Sequence, residues 1–142
     1  MDVIQAIREN LSNKIIDFEE KAPRRIYIEV KPEDIPGIAE FMFKDLHCRF
    51  VTASGIDTRR GIEILYHFSH DTSGKIISFR TIIADKVNPQ IDSIAPIIKG
   101  AEWIEREIWE MLGVNFKGHP NLKRLLLADD WPEGKYPLRQ ES

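Results

Sequence analysis

Val3, Ile4, Ile7 and Leu11 recur three and four residues apart, the spacing of one helix face, and Asp2 stands where an N-cap or first-turn acid would. Residues 13 to 20 fit neither period and stay ambiguous. RRIYIEV, 24 to 30, alternates Ile26, Ile28 and Val30 against Arg25, Tyr27 and Glu29, a strand that stops before Pro32. PEDIPGIAEFMFKDLH then opens with proline and two acids, as helix starts do, and carries Ile38, Phe41, Met42 and Leu46 on one face, with Pro36 and Gly37 in the first turns. CRFVTASGID, GIEILYHFSHD and KIISFRTIIAD are rich in β-branched and aromatic residues. The breaks between them, Arg59-Arg60-Gly61 and Thr72-Ser73-Gly74, suit tight turns and so predict an antiparallel meander. Asn88, Pro89 and Pro96 mark a connection, after which AEWIEREIWEML resumes the helical period and ends at Gly113, where a left-handed cap wants glycine. The rest holds Gly118, Pro120, Pro132, Gly134 and Pro137 around one apolar run, Leu125 to Leu127, and reads as an extended or looping arm. The expected fold is α+β in two layers: a mixed, mostly antiparallel sheet, helices on one face, and an irregular C-terminal arm. It forms one domain, residues 1–142, with a core over 1–112 and the arm over 113–142.

Composition narrows the function classes. With 142 residues, 42% apolar and 30% charged, the chain is of single-domain size and too hydrophobic for disorder. A formal net charge of -3 gives no general attraction to nucleic-acid phosphates or anionic lipid. The single cysteine, Cys48, excludes an internal disulfide framework and a multi-cysteine metal site built from this chain alone, and fits a reducing compartment. The N-terminal stretch mixes charges into its apolar pattern, unlike a signal peptide, and no segment approaches the roughly 20 apolar residues of a membrane span. Any membrane role is therefore expected through a partner.

Chemistry-bearing residues concentrate between Glu105 and Pro120, EREIWEMLGVNFKGHP. On a helical wheel, Ala101, Ile104, Ile108, Met111 and Leu112 form one stripe for the sheet to cover. Trp103 and Trp109 fall on its flanks, so each leaves a large apolar surface unless something else packs there. Glu102 with Arg106, and Arg106 with Glu110, are spaced four apart, which on the plain reading is a solvated charged face. The acids Glu102, Glu105, Glu107 and Glu110 spread around the helix, whereas carboxylate catalysis needs two groups at a defined separation. His119, between Gly118 and Pro120, is a placed residue: a ligand or proton carrier, or more commonly a hydrogen-bond strut. His67 and His70, three apart on a strand, leave from opposite faces and do not make a metal site. Cys48 reads as a small buried hydrophobe. The arm interleaves Lys117, Lys123, Arg124, Lys135 and Arg139 with Trp131, Tyr136, Pro137 and Leu138, a mixture that protein interfaces favour.

The run from Glu105 to Leu126, with Asp130-Trp131 and then Pro137-Leu138-Arg139, resembles the signature of the thirty-kilodalton (C) subunit of respiratory complex I. It is similar as well to the matching small subunit of membrane-bound, energy-converting nickel–iron hydrogenases. The resemblance is close over the last quarter to third of the chain and agrees upstream only in the order of elements. It implies a cofactor-free structural and assembly subunit of the peripheral arm on the cytoplasmic face of the membrane, not catalytic alone. The implied partners are the hydrogenase-large-subunit-like (49 kDa, D-type) subunit and the iron–sulfur small subunit (B-type), with no nucleic acid and contact with the membrane only through the complex.

Carried over position by position, Glu105, Arg106 and Glu107 would brace the junction of helix and arm, and Gly113 would end the helix. Gly118, His119 and Pro120 would set the following turn, while Arg124 and Pro137-Leu138-Arg139 would lie against the partner. Trp103, Trp109 and Trp131 belong to the same expected interface. On this reading, replacing Arg106 or Arg124 by Ala weakens assembly and leaves the domain folded. The family signature usually continues past proline-leucine-arginine, whereas this sequence stops at Gln140-Glu141-Ser142, which favours the short hydrogenase-type, archaeal-type or bacterial relatives. Two other classes make different demands. An independent enzyme using Glu105 or Glu107 with His119 as an acid–base pair requires those side chains to converge in a concave site. A nucleic-acid module using the basic arm requires binding that falls steeply with salt.

Overall fold

The structure is a computed structural model that describes residues 2–122 and 135–140. Its elements are α1 (Val3–Leu11), β1 (Asp17–Ala22), β2 (Arg25–Glu29), α2 (Ile35–Glu40), β3 (Arg49–Thr58), β4 (Gly61–His70), β5 (Lys75–Ile83), β6 (Gln90–Asp92), α3 (Glu102–Leu112) and β7 (Asn115–Lys117). The α+β expectation holds. Five strands form one sheet in the order β1-β2-β5-β4-β3.

The meander β3-β4-β5 is antiparallel, β1 and β2 form a hairpin, and β2 meets β5 in parallel, so the sheet is mixed. Alternation along the central residues of the strands sets its register, with bulges at Glu20/Ala22 in β1 and Phe50/Thr52 in β3. Ile28, Phe79, Tyr66 and Ala53 stand in one row across four strands, and Ile26, Ile77 and Phe68 in the next. All seven are buried. A fully buried Ile or Phe side chain contributes about 1.5–3 kcal/mol relative to an exposed one, so a one-residue slip, which would turn both rows to water, is excluded. The opposite face is polar: Glu63 pairs with Arg80 at 3.0 Å, Arg80 lies over the Tyr27 ring, and His67 Nδ1 meets Ser78 Oγ at 2.6 Å.

Several local features depart from the sequence reading. The ambiguous stretch 13–20 contains the start of β1, an edge strand that alternation could not reveal because its burial is slight. Asp2 occupies the N-cap position of α1 without a side-chain cap, its carboxylate pairing with Lys75 at 3.6 Å instead. The second helix is composite: a 3₁₀ turn over Pro32–Asp34, then α2, then a wider π-type turn over Phe41–Asp45. The connection after β5 and the start of the arm are not irregular, since β6 and β7 pair in parallel, Ile91 against Phe116, and both side chains join the core. Three-residue strands are too short to show a period.

Candidate functional site

α3 is held over β3, the edge strand. A Cβ on Gly55 would come within 2.6 Å of Leu112 Cδ1 and 3.3 Å of Ile108 Cγ2, so the absence of a side chain there lets the helix sit this close. Ala101, Ile108 and Leu112 are buried as expected, but Ile104 and Met111 are only half-buried. The solvated charged face is overturned: Glu105, Arg106 and Glu110 are buried at 1%, 7% and 2% exposure. The helix is covered on two sides, so residues the wheel assigned to water face protein.

Glu105 shows what a buried acid does there. Its Oε1 accepts the Ser93 hydroxyl at 2.5 Å and its Oε2 accepts the Ile94 N–H at 2.9 Å, tying α3 to the segment that leads into it. Burial raises its pKa above the ordinary carboxylate value; the hydrogen bonds from Ser93 and Ile94 oppose that rise without cancelling it. The Tyr66 hydroxyl, enclosed beneath, is likewise held protonated by burial and by the Glu105 charge. Arg106 places its guanidinium 5.1 Å from the centre of the Trp103 ring. Trp103 itself is 63% exposed, whereas Trp109 is half-buried against the core.

Gly113 ends α3 in the left-handed conformation (φ 78°), its N–H bonding the Trp109 carbonyl at 2.8 Å. The Tyr136 ring packs where a Cβ would stand, with ring carbons 2.6 Å from that position. Beyond β7, Gly118 also has positive φ, and His119 folds back onto the helix start. His119 Nδ1 accepts the Asn121 N–H at 2.9 Å, which makes Nε2 the protonated nitrogen, donating to the Glu102 carbonyl at 2.9 Å. His119 is thus the strut of the two readings, with Pro120 exposed beside it. Both ring nitrogens are occupied by backbone groups, and neither Glu105 nor Glu107 is among its hydrogen-bond partners.

The Pro137-Leu138-Arg139 segment is latched to the end of α3. Leu138 N–H bonds the Met111 carbonyl at 2.9 Å and Arg139 donates to the Leu112 carbonyl at 3.1 Å, satisfying acceptors that a helix end leaves open, and Arg139 also donates to the Lys86 carbonyl of the loop after β5 at 2.6 Å. Arg139 also pairs with Asp57 at 3.4 Å, and the Gln140 N–H bonds the same carboxylate at 2.7 Å. Asp57, buried on the inner face of β3, pairs in addition with Lys86. Burial pushes its carboxyl up, but the bonds from Lys86 and Gln140 and the charges of Lys86 and Arg139 outweigh it, so its pKa lies below the ordinary value. The sequence reading passed over Asp57. The available signal was an acid two residues beyond Gly55 on the buried alternation of an apolar strand.

Between α3 and the edge of β3 runs a groove of about 190 Å³ lined by Ala53, Gly55, Ile104, Glu107, Met111 and Leu138. A second depression of about 270 Å³ beside it is lined by Val51, Trp103 and again Glu107. Leu138 is 57% exposed. The structure therefore brings Trp103, Glu107 and Leu138 to one surface, puts Glu105, Arg106 and Trp109 into the packing beneath, and uses Gly113, Gly118 and His119 to shape the helix ends. Arg124 and Trp131 lie outside the described residues. Cys48 is buried, its thiol pushed up to about 11 first by burial and then by the Asp71 charge. Among the described residues, no three His, Cys, Asp or Glu side chains gather as a metal site, and no helix is long and apolar enough to cross a membrane.

Residues 28–142 match the family described as respiratory-chain NADH dehydrogenase, 30 Kd subunit. The C-type subunit of the NADH-quinone oxidoreductase of Citrifermentans bemidjiense is 30% identical over 95% of this chain and 84% of its own length. Hydrogenase-4 component G of Escherichia coli is 27% identical over 99% of this chain but only 26% of its own. Against other curated relatives the chain spans 15%, 48% or 58% of their length. A chain in the structure of a membrane-bound sulfane sulfur reductase, an archaeal respiratory membrane complex, superposes with a TM-score of 0.84 over 96% of this chain and 81% of that one. At 23% identity that likeness shows the fold. With the family model covering most of its length and the signature around α3 in place, this chain belongs to the respiratory-chain NADH dehydrogenase 30 Kd subunit family.

Proposed function

We propose that the protein is a structural and assembly subunit of the peripheral arm of a membrane-associated redox complex, of complex I or energy-converting hydrogenase type, on the cytoplasmic face of the membrane. It docks on the hydrogenase-large-subunit-like subunit and near the iron–sulfur small subunit, whose cofactors carry the electrons that are coupled to ion translocation. The observation that carries this reading is the family match over residues 28–142. The exposed Trp103 and Leu138 beside an apolar groove support it, since an apolar surface of this kind on a folded domain favours a protein partner. The role of this chain is to fix geometry, because electron transfer between subunits needs neighbours held in constant register.

The test is affinity purification of the tagged full chain from its native membranes in mild detergent, with co-purifying chains identified by mass spectrometry. Recovery of a hydrogenase-large-subunit relative and an iron–sulfur subunit is expected. Recovery of the protein alone, with other membrane complexes intact in the same extract, would overturn the reading.

A further inference from the structure

The two edges of the five-stranded sheet are built differently. β1 carries Asp17, Glu19, Glu20 and Lys21 in six residues, the charged composition that keeps an open edge from pairing. β3 is ten residues long, and from Phe50 to Ile56 it reads FVTASGI, with neither charge nor proline. In an antiparallel ladder alternate residues turn their N–H and C=O away from the partner strand. The Asp57 carbonyl is one of these, since the Gln140 side chain donates to it at 2.9 Å. Two-residue alternation then places the N–H and C=O of Gly55 and Ala53 on the same open edge. Among the described residues no strand pairs there.

α3 lies over β3 and leaves Ile104, Glu107 and Met111 only half-buried, so the helix layer overhangs the last strand. Glu107 lines both halves of the groove and, among the described residues, makes no hydrogen bond or ion pair. Half-exposed at the rim of an apolar groove, the Glu107 carboxylate is placed to meet a cationic side chain on an incoming segment.

Resting on the proposed function, we infer that β3 accepts a sixth strand from another subunit of the complex. The strand is an extended segment that pairs with the open amides of Ala53 and Gly55. It sets an apolar side chain between Ile104 and Met111 and brings a Lys or Arg to Glu107.

Two measurements on the complex purified from native membranes test this. Amide exchange at Ala53 and Gly55 is expected to slow by at least about tenfold relative to the isolated chain, because the added strand gives both amides an acceptor. A photo-crosslinker in place of Ile104 is expected to join one segment of a second subunit that contains a Lys or Arg, whereas one in place of Val87 does not join that segment. Glu107→Lys should cut co-purification by about tenfold, and reversing the charge of the basic residue found should restore it. Unchanged exchange at both amides in the assembled complex would overturn the inference, as would adducts to this chain or to a second copy of it. If the chain enters no complex, the proposed function falls with it; if it is retained with both amides still exchanging freely, only the sixth strand is lost.

Discussion

Two buried acids carry opposite signs at the level of single residues. Glu105→Ala leaves the Ser93 hydroxyl and the Ile94 N–H without their acceptor in a dry site, a loss of about 1–3 kcal/mol that should lower the urea midpoint with little change in slope. Because burial raises the pKa of Glu105 in the fold, its ionisation favours the unfolded chain, and its contribution to stability falls as pH rises through the folded value. Asp57 runs the other way. Its folded pKa is depressed, so its contribution is complete above the unfolded value of about 3.9 and is lost as pH falls through the lower folded value. Asp57→Asn should therefore be less stable at neutral pH and lose less stability on acidification than the parent, as urea titrations from neutral pH to about pH 3 would show. Of these two, only Glu105 was a candidate from sequence. Charge pattern on a helix shows which residues are acids, not which the neighbouring segment will cover.

Among the elements, α3 depends on how it ends and what it lies on. Gly113→Ala must hold φ near 78° and push Tyr136 aside, so it should cost more than the roughly 1 kcal/mol of the conformational term alone, measured by thermal or urea unfolding. Arg139→Ala should free the latch over Met111 and Leu112. The expected sign is faster amide exchange at Leu138, with the exchange of β4 and β5 unchanged. The helix and its glycine stop were legible because eleven periodic residues followed by Gly are a strong local signal. β1, β6 and β7 were not, since the first is slightly buried and the others are three residues long. The latch joins Asp57 to Gln140, far apart along the chain, and no local pattern encodes such a pair.

For the whole molecule, assembly and folding must be separated before any variant is read. Arg106→Ala is expected to mix the two effects, because Arg106 is buried and its loss should weaken the fold as well as any contact with a partner. Trp103→Ala is the cleaner variant. With the indole largely in water, stability should change by less than about 1 kcal/mol, while co-purification with the partner falls by about tenfold or more if this side chain anchors the interface. Circular dichroism melting of the isolated chain and recovery from membranes read the two effects independently.

The order of the main elements, the antiparallel meander and the stop at Gly113 follow from the sequence alone, because residue period, turn chemistry and glycine conformation act over a few neighbouring residues. The long motif around α3 also carried the family. Only the tertiary structure decided that β2 pairs in parallel with β5, that Glu105 and Asp57 are buried ties, and that Arg139 closes the end of α3. The same is true of Glu107, which the fold sets in a groove beside a strand edge where, among the described residues, no further strand pairs. These depend on which distant surfaces meet. Burial, ion pairing and open hydrogen-bonding edges are properties of the meeting and not of either segment by itself.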